Sequence, residues 1–127
     1  MKVHIWPLSC VALMACGAPA PTFSADIEPI FARNCTTAGC HAPPVEAGLD
    51  LSPGVAWGQL VDVPSTQAPT MARVVPGDAE ASYLYRKLAN THVEAGGSGT
   101  LMPPGFGLAN NEVAIVAAWI EAGALDD

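Results

Sequence analysis

The chain is short of positive charge. Its 127 residues include 5 Lys or Arg against 12 Asp or Glu, a formal net charge of −7. Phosphate binding is driven by Lys and Arg, so this balance argues against nucleic acid as a partner. The basic run that would hold a protein to anionic lipid is missing too. Aromatic residues make up only 6 %, and many of the hydrophobic residues are Ala, so apolar bulk is scarce. A single domain of this length buries a modest share of its surface, and a staple or a bulky cofactor would help it. There is no internal repeat and no alternating apolar pattern long enough for a sheet. The apolar run from Val3 to Ala15 is too short for a permanent membrane helix.

What is there begins with a leader. MKVHIWPLSCVALMAC has one Lys near its start, an apolar stretch and small residues ending at a Cys, the composition of a secretory signal. Its last residues, Leu13-Met14-Ala15-Cys16, resemble a bacterial lipoprotein signal, in which the Cys becomes the acylated first residue. The expectation is a signal over 1–15, a lipid on Cys16, a tether over 16–23 and one domain over 24–127. An ordinary signal cleaved near Ala18 or Ala20 is the alternative. Either way the chain is exported to a compartment that permits disulfides. A lipid on Cys16 would face the domain to the periplasm and be its only hold on the membrane.

Gly17 to Thr22 reads as a Pro/Ala tether. Ser24 then suits the N-cap of a helix running to about Asn34, with Ile27, Ile30 and Phe31 as its buried stripe. Residues 45–77 carry Pro and Gly throughout and predict a wrapping loop with one short helix near 54–61. Asp78 suits the cap of a helix over 79–90, whose Arg86 and Lys87 complement the dipole of its last turns. Residues 95–107 predict a loop. Asn110 or Asn111 suits the cap of a last helix over about 111–122, closed by Gly123. Ile115, Val116, Trp119 and Ile120 would be its core face. The fold class is mostly α, three to four helices and long loops wrapped around something.

The loop NCTTAGCH at 34–41 gathers two cysteines and a histidine. Such a triplet can hold haem by thioether bonds from the cysteines, with the adjacent His reaching the iron. The usual signature is C-x-x-C-H. Here the spacing is C-x4-C-H, which needs a bulge, and Gly39 can supply the permissive backbone. Three other chemistries compete. A Cys35–Cys40 disulfide leaves His41 as coincidence. Zinc needs further ligands, and His92 is the only other histidine beyond the leader. A thiol–disulfide active site prefers C-x-x-C at a helix start in a βαβ setting, which is absent.

A second ligand is on offer in Leu101-Met102-Pro103-Pro104-Gly105, where the prolines stiffen the presentation of Met102. His/Met ligation suits an electron carrier because it raises the reduction potential. Met102 also reads as a gap-filling core residue. Met71 is a rival ligand without the rigid flank, and His92 a second, unless it is a solvated residue at a helix end. The other ring nitrogen of His41 needs an orienting partner, and the Pro43 or Pro44 carbonyl is near in sequence.

Ile27-Glu28-Pro29-Ile30-Phe31 followed by Cys35 to His41 resembles the opening of small monohaem c-type cytochromes. GLDLSP (48–53), RVVPGDAEASYLYRKL (73–88), LMPPG (101–105) and EVAIVAAWIEAGA (112–124) are similar to the planctomycete-type cytochrome c domain. The resemblance spans about residues 24–124. It implies a class-I-like fold around one covalent haem c, with the first and last helices packed together. It further implies that Cys35 and Cys40 are the thioether attachments, His41 the proximal ligand and Met102 the distal one. Arg73 matches a family position that reaches a haem propionate, unless it is an exposed loop charge. The expected function is single-electron transfer rather than catalysis, with redox partners that carry basic patches. The competing reading is a haem-free exported module stapled by a Cys35–Cys40 disulfide. A haem enzyme or gas sensor with a labile Met102 is a third.

Overall fold

The computed structural model describes residues 17–127. Cys16 and the leader over 1–15 lie outside the described residues. Helices and loops make up the fold: a π-helical turn Phe23–Ile27 running into α1 (Glu28–Asn34), then α2 (Ala56–Leu60), α3 (Tyr83–Leu88) and α4 (Asn110–Glu121). Among the described residues β-structure is limited to isolated bridges such as Val61 with Val74, and there is no sheet.

The expected apolar stripe of the first helix is the centre of the core. Ile27, Ile30 and Phe31 are at most 2 % exposed, and they meet Val116, Trp119 and Ile120 of α4, which are at most 1 % exposed. Phe23 joins them with its ring 5.3 Å from that of Trp119. Burying each such side chain contributes about 1.5–3 kcal/mol, so this contact between the first and last helices is where most of the scarce apolar bulk is used. An Arg33–Glu112 ion pair at 3.1 Å closes its edge.

The helix ends differ from the expected caps. Ser24 makes no side-chain cap; Thr22 precedes the first turn, and the Asp26 carboxylate reaches back to its N–H at 2.8 Å. The free N–H groups of Phe23 and Ser24 donate to Asp127, to its carboxylate and its main-chain oxygen. A donor exposed by the start of a helix is thus satisfied by residues far away in sequence. Asp78 caps only a turn, accepting from the Ala81 N–H. Ser82 Oγ bonds back to Val75 and Asp78, and α3 begins after it, four residues later than expected. α4 starts at Asn110 behind Ala109, with no Asn side chain capping it. Its end is as expected: Gly123 takes φ +115°, its N–H donates to Ile120, and the Ala124 N–H donates to Trp119. That pair of bonds is a Schellman closure.

Residues 61–65 lie beside 71–74, with main-chain bonds Asp62 to Val74, Arg73 to Val63 and Ser65 to Met71. The carbonyls of Ala72 and Arg73 accept from Tyr83 and Leu84. This fixes Arg73 and the start of α3 on one side of a recess, opposite the cysteine loop.

Candidate functional site

The cysteine loop follows directly from the end of α1. Cys35 N–H still donates to Phe31, and Thr36 Oγ1 donates to Ala32. The four residues between the cysteines then bulge outward: Thr37, Ala38 and Gly39 are exposed, and Gly39 has φ +82°. Cys40 N–H donates to Thr37 and His41 N–H to Cys35 at 2.9 Å, so the bulge returns to where it left. The wide spacing is absorbed by a turn, and both cysteines and His41 end up on one wall. Both thiols are free; Cys35 is buried and Cys40 half-buried. Burial, then Cys40 and Glu112, push the Cys35 thiol up to about 12 from its ordinary 9.0.

His41 is oriented by a carbonyl, but not by that of Pro43 or Pro44. Its Nδ1 lies 3.1 Å from the Leu49 carbonyl. A carbonyl can only accept, so Nδ1 is the donor, and in the neutral ring Nε2 keeps its lone pair. Residues 41–44 bend rather than run extended, Glu46 N–H donates back to Cys40 at 3.0 Å, and the chain reaches the ring again eight residues after His41. The Leu49 segment is itself pinned: Leu51 N–H donates to His41 at 2.7 Å. Next to it the Ser52 hydroxyl and N–H hold the Asp50 carboxyl below its usual range.

Two adjoining clefts meet at this wall. One, of about 80 Å³, is lined mainly by apolar side chains such as Phe31, Leu51, Leu60 and Leu84, with Arg73 and Lys87. The other, of about 550 Å³ and open to solvent, runs past Cys40 to Pro103, Pro104 and Phe106. Cys35, His41 and Met102 line both. The open cleft has the volume of a small-molecule or cofactor site, and the apolar one extends it inward as a narrow recess. Met102 comes from a loop more than sixty positions beyond the motif, and its side chain also packs on the core.

The rival ligands fall elsewhere. Neither Met71 nor His92 lines either cleft. His92 is no solvated capping residue; it is 1 % exposed, with Nε2 3.1 Å from the Gly99 carbonyl and Nδ1 without a partner. Among the described residues no three His, Cys, Asp or Glu side chains come together as a metal site, which leaves the zinc reading without a ligand set. Trp57 is core rather than pocket, donating to the Ala124 carbonyl, whereas Tyr83 does line the recess.

Arg73 is not a loop charge in solvent. It is 8 % exposed and donates to the Gln59 carbonyl at 2.9 Å. Lys87, in the last turns of α3, is equally buried and lines the same cleft. Among the described residues the ion pairs are Arg33–Glu112 and Arg86–Glu80, so neither buried cation faces a carboxylate. Burial pulls both groups below their usual ranges. A largely apolar cleft holding two unpaired cations suits a ligand with an apolar body and negative groups at one edge. That is the chemistry of a porphyrin dicarboxylate, and the donor set fits haem: two thiols, an imidazole whose Nε2 is not engaged by Leu49, and a thioether.

Comparisons with protein families, curated proteins and solved structures return no match.

The sequence had no means of pointing to the Leu49 carbonyl, because a main-chain acceptor leaves no residue signature. Lys87 had one: Gly97 and Gly99 mark a strap that approaches α3 closely. A Cβ on Gly99 would stand 2.9 Å from Lys87 Nζ, and one on Gly97 would run into the Tyr83 hydroxyl.

Proposed function

We propose that the protein is a monohaem c-type cytochrome, a class-I-like domain over 24–127 that passes single electrons. The observation that carries this reading is convergence. His41, with Nε2 left free by its bond to Leu49, and Met102, brought from a distant loop, line one recess beside two free thiols. Cys35 and Cys40 would hold haem c by adding each S–H across a vinyl group, His41 Nε2 would be the proximal ligand and Met102 Sδ the distal one. Arg73 would face a propionate. When bound, haem supplies a one-electron couple at iron. The residues supply the rest: Leu49 keeps His41 in the tautomer that can ligate, and Phe31, Leu51, Leu60 and Leu84 exclude water.

With His41 and Met102 both holding the iron, no ligand position would be left for a substrate, which is why we assign a carrier and not an enzyme. The surface supports partners with basic patches. Of the four cations among the described residues, Arg33 and Arg86 are paired and Arg73 and Lys87 are buried, so the carboxylates dominate outside. Association with such partners would weaken with salt. Export and a lipid on Cys16, placing the domain at a bacterial membrane and facing the periplasm, complete the proposal.

Carbon monoxide tests it. Reduced, matured protein should not bind the gas, and Met102→Ala should. Binding by the unaltered protein would favour an open-site haem enzyme or gas sensor. An unchanged spectrum from Met102→Ala would remove Met102 from the ligand set.

A further inference from the structure

The strap 97–100 leads into Met102, and three of its successive carbonyls are bonded, two to α3 and the one between them to His92 just beyond that helix. Lys87 Nζ donates to Ser98 at 2.7 Å and to Thr100 at 2.9 Å. His92 Nε2 meets the carbonyl between them, that of Gly99, at 3.1 Å. The Tyr83 hydroxyl joins at Ser98, accepting from its N–H at 3.3 Å while bonded to Gln67 at 3.0 Å. Tyr83 and Lys87 stand four residues apart on α3 and so share a face. The main chain adds a last tie, because Met102 N–H donates to the Lys87 carbonyl at 3.3 Å.

Lys87 is thus bonded to the Met102 loop at both ends of its own residue. The ammonium holds the approach to Met102 and the carbonyl holds Met102 itself. We propose that Lys87 is the positioning residue for Met102, a cation whose work is to anchor the strap that presents the thioether to the recess. Helix-dipole complementation does not require this. A lysine serving the dipole alone would be solvated, whereas Lys87 is 8 % exposed. Its two carbonyl acceptors are charge-assisted partners, stronger than neutral ones. The glycines are explained as well: Gly97 and Gly99 let the strap lie against Tyr83 and Lys87, where a Cβ would collide. His92 is buried to serve the same strap.

This inference rests on Met102 being a haem ligand, and Lys87→Met separates the two ideas. That variant keeps the apolar stem and removes the ammonium. In the haem-loaded protein it should weaken the ferric Met–iron charge-transfer band, lower the midpoint potential and admit carbon monoxide where the unaltered protein does not. Loss of a nearby positive charge alone would lower the potential but leave the band intact, so the band distinguishes positioning from electrostatics. In both haem-loaded and haem-free chains the Met102 amide should exchange with solvent at least about tenfold faster, because both charge-assisted bonds of the ammonium are lost. Should Lys87→Met not fold, Lys87→Gln shortens the reach and removes the charge, with the same expectation. Lack of the band in the unaltered protein would overturn Met102 ligation, and the haem-free exchange rate would then decide whether the strap is anchored by Lys87. A normal band in the unaltered protein, with band, gas binding and exchange all unchanged in the variant, overturns the positioning role.

Discussion

Cys35 and Cys40 belong to one motif but not to one environment. Cys35 sits at the end of α1 against the core, its thiol pushed up to about 12, while Cys40 is half-buried at the mouth of the open cleft. In haem-free protein at mildly alkaline pH, iodoacetamide should therefore label Cys40 well before Cys35, because the thiolate is the nucleophile. Peptide mapping of a time course checks the order, and equal labelling would contradict the burial. The same shift makes stability depend on pH. A thiol that ionises at about 9 when unfolded and only near 12 when folded binds more protons in the native state between those values. Haem-free protein should thus keep this contribution below pH 9 and lose it as pH rises toward 12. Chemical denaturation across that range reads it out. A thioether at Cys35 abolishes the titration, so haem-loaded protein should lack this alkaline loss. At this scale the site was largely legible, since Cys35, Cys40, His41, Arg73 and Met102 all line the recess. The Leu49 acceptor was not, because any residue could have donated that carbonyl.

Among the elements, the buried stripes of the first and last helices were legible from spacing alone, because period 3.6 survives wherever a helix packs on a core. Helix starts were not. Ser24, Asp78 and Asn110 or Asn111 are good caps by type, yet the chain satisfied those donors differently, with Asp127 at one helix start and Ser82 turned back to Val75 before another. Distant partners of this sort override local preference. The strap 97–100 behaves as an element too, held through side chains rather than through a ladder. Gly97→Ala should cost about 1–3 kcal/mol by overpacking, since a Cβ there meets the Tyr83 ring and lies 2.8 Å from the His92 carbonyl. Gly105→Ala in the neighbouring loop meets nothing, so packing gives no penalty and strain at its φ of +92° is the sole cost. Urea denaturation reads both losses, and a Gly97→Ala loss below about 0.5 kcal/mol would deny the close approach.

The molecule as a whole is a small, acidic, helix-and-loop domain whose core lies on one side of a recess it does not itself fill. Apolar residues from α1, α2 and α3 line that recess, together with two cations lacking carboxylates. Scarce aromatics and many prolines and glycines led only to the expectation of loops wrapped around a ligand, which belongs to the proposed function, and composition could go no further than that. Ligand chemistry had to come from the motif, and the location of both cations from the packing of 71–74 against α3. The claim that joins these levels is a haem bonded to Cys35 and Cys40. Intact mass of the protein, made in a host with a c-type maturation apparatus, tests it most directly. The account predicts the polypeptide plus one haem, dropping to the bare polypeptide when Cys35 and Cys40 are both replaced by Ala. A folded, colourless protein at the bare mass, or lighter by the two hydrogens of a Cys35–Cys40 disulfide, would contradict it.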